Sequence, residues 1–176
     1  SNEKNIDFMI DALAELKKNT DKAFRLLIVG DGHQKQRLQA KIDELGLTQT
    51  IQLVGSVAPE NMANWYQLGD AFLFASQSET QGMVILEAMA AGLPVVAVRS
   101  SGIDDVVEDG FNGYKTPAKQ AVWLERVERI LNDESLRKEL SDNAESFAKA
   151  YSVERFSQDV RHIYAETLAR YHEAKN

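Results

Sequence analysis

The sequence predicts an α/β protein: a doubly wound parallel sheet followed by an all-helical C-terminal third. Three observations predict it. Short apolar runs recur without in/out alternation, as strands covered on both faces require. Helical patterns fall between these runs, the order that right-handed crossovers produce. Beyond Pro117 the strand-like runs cease.

Taken in order, residues 4 to 18 set Ile6, Met9, Ile10, Leu13 and Leu16 at steps of three and four among charged residues, an amphipathic helix. Arg25-Leu-Leu-Ile-Val-Gly30 is an apolar strand closed by Gly30-Asp31-Gly32, and Leu38, Ile42 and Leu45 then mark a helix that Gly46 stops. The unit repeats, with a strand at 51–55, a short helix over 60–68, a strand at 71–75, a helix over 83–91 and a strand at 94–98. After Gly113-Tyr-Lys-Thr-Pro117 three helices follow, marked by Val122 to Leu131, Leu136 to Phe147, and Val153 to Leu168. No repeat, low-complexity tract or linker interrupts the chain, so residues 1–176 are read as a single domain.

Composition narrows the function classes. The 176 residues are 44% apolar and 27% charged, which places the chain among globular proteins. The net charge, 20 − 27 = −7, argues against a protein that wraps nucleic acid, which needs clustered Lys and Arg. Cysteine is absent, which removes disulfides, thiolate nucleophiles and cysteine metal sites and makes the cytoplasm the expected location. No apolar run is long enough to span a membrane, and no secretory leader is legible. Ser1-Asn2 reads as a tag remnant, and the chain as a section of something longer.

In a parallel sheet, ligands bind beyond the carboxyl ends of the strands. Three loops qualify there. Gly30-Asp31-Gly32 turns tightly and brings backbone near a ligand, or simply turns, with Asp31 capping the next helix; it lacks the third glycine of the dinucleotide fingerprint. Gly55-Ser-Val57 leads to a short helix with Trp65 and Tyr66, which either stack on a base or pack as core or lid.

The third loop, Ser76 to Gly82, runs into the helix from Val84 to Ala91. Between Glu79 and Arg99 the sole charged residue is Glu87, in a helix apolar on every side, so helix and carboxylate are expected to be buried together. A buried carboxylate needs donors, supplied either by protein groups or by a ligand diol such as ribose. The free N–H groups of Gly82, Met83 and Val84 at the helix start favour an anion such as a diphosphate, and Gly82 lets it approach. Glu79 then hangs over whatever the phosphate carries, or is a solvated loop acid or a helix-dipole partner. Diol, diphosphate and sugar in a row describe a nucleotide sugar.

The run from Glu79 to Glu87 resembles the Glu-x₇-Glu motif of family 4 retaining glycosyltransferases, and Leu26-Leu-Ile-Val-Gly-Asp-Gly32, Leu53-Val-Gly-Ser-Val57, Ala71-Phe-Leu-Phe-Ala-Ser76 and Gly102 to Gly113 extend the match along nearly the whole chain. The resemblance implies a GT-B architecture of two Rossmann-like domains, with this chain as the C-terminal, donor-binding half. It implies that Glu87 binds the ribose hydroxyls, Glu79 the transferred sugar, the amides of Gly82, Met83 and Val84 the diphosphate and sugar, and Val57 the edge of the base. Thr80, Gln81 and Gly30 belong to the same donor-binding set. Lys4 matches a diphosphate-neutralising Lys, whose companion Arg and its strand are expected just upstream of Ser1.

Thr80-Gln81 replaces the family's common Gly-Phe and is similar to glucosyltransferases that build glucosyl-diacylglycerols in bacteria, which suggests a UDP-glucose type of donor. The implied reaction retains configuration and uses no cofactor or metal; Asp104-Asp105 reads as a solvated or capping pair. The implied partners are the nucleotide-sugar donor and an N-terminal acceptor domain, through which any association with the inner face of the cell membrane would run; a glycolipid or saccharide is the expected acceptor. Competing expectations are a non-catalytic nucleotide-sugar-binding or interaction module, and another GT-B enzyme such as an epimerase or phosphorylase. His33 has no assigned role, and His162 and His172 read as structural or solvated.

Overall fold

A 3-10 turn at Asn2–Lys4 opens the computed structural model, which describes residues 2–151. Asn5, in the left-handed region at φ 51°, swings the chain from that turn into helix α1, Ile6–Asn19. Asn tolerates this conformation because its short polar side chain is accommodated locally. Strand β1 (Leu26–Val29), helix α2 (Lys35–Glu44) and strand β2 (Ile51–Gly55) follow, then a 3-10 turn at Pro59–Asn61 and the short helix α3 (Met62–Tyr66). Next come β3 (Phe72–Phe74), α4 (Met83–Ala90), β4 (Val95–Val98), α5 (Ser101–Asp104), β5 (Gly113–Thr116), α6 (Gln120–Asn132) and α7 (Glu134–Ala150). The third expected C-terminal helix, with His162 and His172, lies outside the described residues.

All described strand pairs are parallel, as the uninterrupted apolar runs predict. They form two ladders, a two-stranded β1-β2 and a three-stranded β3-β4-β5 with β4 central. The second ladder is doubly covered. Val96 and Val98 join a core with α1, Trp123 and Leu140, while Val95 and Ala97 join one with Ile85, Met89, Ile103 and Ala144. Alternate residues of one strand therefore feed cores on opposite faces, and all four residues of β4 are buried.

Between β1 and β3 lies a cavity of about 1390 Å³, walled by Leu26 to Val29 on one side and Ala71 to Phe74 on the other, with Met9 and Leu13 of α1 facing it. No described strand fills it, so the ladders stay separate and all four residues of β1 are only half-buried.

Two elements escape the sequence reading. The short α5 has no room for helical periodicity, and β5 is a mixed run, Gly-Tyr-Lys-Thr. Gly113 is what lets β5 pair with β4: a Cβ there would lie 2.2 Å from the Val95 carbonyl oxygen. No helix among the described residues is long and apolar enough to cross a membrane.

Candidate functional site

Helix α4 starts at Gly82, which sits in the left-handed region at φ +66°. A Cβ at Gly82 would lie 2.7 Å from the Gly102 carbonyl oxygen and 3.0 Å from Val106, so only glycine makes this entry. The preceding loop folds Glu79 back over the helix start. Its Oε1 accepts hydrogen bonds from the backbone N–H of Gln81 (3.1 Å) and of Gly82 (3.0 Å).

Lys4 closes the other side of the carboxylate, its Nζ 3.8 Å from Glu79 Oε2 and 5.6 Å from the centre of the Phe74 ring. The Gln81 amide first, and then the Gly82 amide and Lys4, hold the Glu79 carboxyl below the usual carboxylate range against an opposing effect of partial burial. Glu79 is thus a fixed anion, 16% exposed, beside a half-exposed cation. The backbone carbonyl of Glu79 is held as well: the Gly102 N–H donates to it at 2.9 Å, and the hydroxyls of Ser100 and Ser101 lie 3.3 and 3.4 Å away.

Glu87 corrects an expectation. It is exposed, as are Met83 and Ala90 one turn to either side. The opposite stripe of α4, Ile85, Ala88 and Met89, is fully buried, so the helix presents one face to the core although nearly all its residues are apolar. Apolar content alone does not force burial, since much of a protein's surface is apolar. The expected donor to Glu87 nonetheless exists. The Tyr66 hydroxyl, on α3, donates to Glu87 Oε2 at 3.1 Å. Tyr66 is 8% exposed and meets Phe72 edge-on with ring centres 5.9 Å apart, so it packs as core while its hydroxyl reaches the carboxylate. Burial first, and then Glu87, push the Tyr66 phenol above its ordinary value.

Of the remaining sequence-derived residues, Met83 and Val84 form the first turn of α4, whose N–H groups have no intrahelical acceptor. Thr80 and Gln81 are exposed in the loop before it. Gly30 ends β1 at φ +132°, its N–H donating to Gly55 at 2.8 Å, and Val57 is half-buried in the loop after β2. Lys4, Gly30 and Val84 all line the cavity between β1 and β3, so that cavity opens toward the Glu79 loop.

Asp31 accepts from its neighbour Gly32 at 2.7 Å, a local turn rather than a cap on α2. Asp104 pairs with Arg99 (3.5 Å) and Lys115 (3.4 Å), which makes it a charge-matched surface group. His33 is exposed. The contact of Ser100–Gly102, where the chain enters α5, with the Glu79 loop is the feature the sequence reading left without a role; its signal was a glycine directly after two serines at the carboxyl end of a buried strand.

The chain is similar to known proteins in sequence and in fold. The chain is 32% identical over 166 residues to the alpha-monoglucosyldiacylglycerol synthase of Acholeplasma laidlawii, covering 94% of this chain and 41% of that protein. It is 30% identical over 165 residues to an uncharacterized glycosyltransferase of Methanocaldococcus jannaschii, covering 93% of this chain and 45% of that one. Among solved structures, Anabaena HepE in complex with UDP-glucose superposes with a TM-score of 0.77 at 29% identity, over 97% of this chain and 46% of that chain. The chain spans less than half the length of each of these relatives. Residues 1–147 match the family model for glycosyl transferases group 1, and the chain belongs to that family.

Proposed function

We propose that residues 1–176 form the donor-binding domain of a retaining glycosyltransferase that moves a hexose from a UDP-glucose type of donor to a glycolipid or saccharide acceptor. The observation that carries it is the Glu79 carboxylate, locked at the start of α4 beside Lys4. Glu87 follows about one turn into that helix, its carboxylate held by Tyr66. The relatives' names support donor and acceptor class, one being a glucosyldiacylglycerol synthase and another a UDP-glucose complex.

In this reading Glu87 accepts from the ribose hydroxyls, being exposed and already aimed. The N–H groups of Met83 and Val84 meet the diphosphate, and Lys4 neutralises the charge that grows on it as the glycosidic oxygen departs. Glu79 accepts from hydroxyls of the transferred sugar and fixes its orientation. Val57 and Gly30 border the nucleoside. The proposed transfer uses no metal, because cations and helix amides take up the leaving-group charge.

The acceptor side belongs to an N-terminal domain of the whole protein, with cytoplasmic location and any membrane-surface contact assigned to that larger protein. The cavity between β1 and β3 supports one further parallel strand ahead of Lys4, since each wall carries a strand edge to pair with.

Titration calorimetry of the full-length protein with UDP, UDP-glucose, GDP and ADP, repeated with Glu87→Gln, tests the proposal. Selective uridine nucleotide binding, weakened at least fivefold in the variant with an unchanged melting temperature, is expected. Absence of nucleotide binding by the folded wild-type protein would overturn it in favour of a non-catalytic module.

A further inference from the structure

Resting on that donor reading, we infer that the turn Ser100–Gly102 is a positioning element that fixes Glu79 at the sugar end of the site. The eight residues between β3 and α4 belong to no helix or strand, yet the proposed role of Glu79 demands a carboxylate held to within about half an ångström. Its carboxylate bonds to Gln81 and Gly82 lie within the same loop, so they shape the loop without anchoring it. The anchor comes from the segment after β4. The Gly102 N–H, the Ser100 hydroxyl and the Ser101 hydroxyl converge on one acceptor, the Glu79 carbonyl oxygen, at 2.9, 3.3 and 3.4 Å.

The two segments also interlock without side chains. A Cβ on Gly102 would lie 2.4 Å from the Thr80 carbonyl carbon, 2.7 Å from the Gln81 nitrogen and 2.8 Å from the Thr80 Cα. Reciprocally, a Cβ on Gly82 would meet the Gly102 carbonyl oxygen. Two glycines thus let two backbones touch, and three donors set the height of Glu79 above α4. Ordinary contact begins near 3.4 Å, so a methyl at Gly102 drives the Thr80–Gln81 peptide away by about an ångström. β4, which carries the turn, is wholly buried, so the anchor sits on the rigid part of the fold. Misplacement by an ångström costs about 100-fold when the group displaced orients the reacting centre.

The test uses the full-length protein, UDP-glucose as donor and water as acceptor, with release of UDP as the readout. The variants are Gly102→Ala, the double change Ser100→Ala/Ser101→Ala, Glu79→Gln, and the serine pair combined with Glu79→Gln. Melting temperature and UDP affinity are measured for each.

Gly102→Ala is expected to lower kcat about 100-fold, and the serine pair about tenfold with UDP affinity within twofold of wild type. In the Glu79→Gln background the serine pair is expected to have no further effect on kcat, because it acts through Glu79. Additive losses in that background, or equal losses of UDP affinity and kcat in the serine variant, would overturn the inference and leave the donor reading standing. An unchanged kcat in Glu79→Gln would overturn the assignment of Glu79 itself, and the inference with it.

Discussion

The β3-β4-β5 half and the β1-β2 half are built from similar apolar runs, yet their strands differ in burial. Val95–Val98 is buried at all four positions, whereas Leu26–Val29 is half-buried at all four. The difference lies in neighbours. β4 has a strand on each side and helices on both faces, while β1 has β2 on one side and the cavity on the other. A run of Val, Ile and Leu states that a strand is suited to full burial; whether it is buried depends on what lies across its second edge. Glu79 and Glu87 stand on the half that contains the fully buried β4, and Gly30 lies across the cavity from it.

Removal of core volume should separate the halves most sharply. Ile85→Ala, on the fully buried face of α4, is expected to destabilise by about 2–5 kcal/mol in urea titration, and Ile28→Ala on β1 by less than about 2 kcal/mol. If an upstream strand fills the cavity in the full-length protein, the Ile28→Ala loss there should rise toward the Ile85 value. Equal losses in the isolated chain would mean that the open edge of β1 does not lower what its side chains contribute.

A glycine pair gives the next largest contrast. Gly113→Ala forces β5 off the Val95 carbonyl and should cost about 1–3 kcal/mol, read from the same titrations. Gly32→Ala, whose Cβ would meet nothing within 4 Å, should stay within about 0.5 kcal/mol of wild type.

Tyr66→Phe removes the hydroxyl that aims Glu87 but keeps the ring against Phe72. Because Glu87 is exposed, the stability change should remain below about 1 kcal/mol, while calorimetry should show UDP binding weakened about fivefold. A stability loss with no change in affinity would make Tyr66 a packing residue only.

The smallest effect is electrostatic and joins α1 to α2. The Arg37 guanidinium, and Lys41 beside it, hold Asp7 at a pKa of about 2 against an ordinary 3.8. Since the folded state binds fewer protons than the unfolded state between these values, stability from this contact is complete above pH 4. It is lost as the pH falls from about 4 toward 2. Partial exposure of all three side chains keeps the amount small. Asp7→Asn should flatten that part of an acid unfolding curve and leave the rest unchanged.

Much of this was legible in the sequence, for identifiable reasons. Helix and strand order followed from period and from the glycines that stop each run. The Glu79-to-Gly82 entry into α4 followed from a loop acid before a glycine and an apolar helix. The exposure of Glu87 ran against the expected burial, because an apolar helix can leave one stripe open and hydropathy does not say which. β5 was hidden because its close approach to β4 depends on Gly113 rather than on apolar residues. The grip of Ser100–Gly102 on Glu79 was hidden too, being a backbone contact between segments about twenty residues apart.

The proposed role of the exposed Glu87 carboxylate is to read a ribose diol. It is tested most directly by titrating the full-length protein and its Glu87→Gln variant with UDP and with 2′,3′-dideoxy-UDP. Wild-type protein should bind UDP about tenfold tighter than the dideoxy compound, and the variant should bind the two within about twofold. Equal affinity of the wild-type protein for both compounds would contradict the assignment.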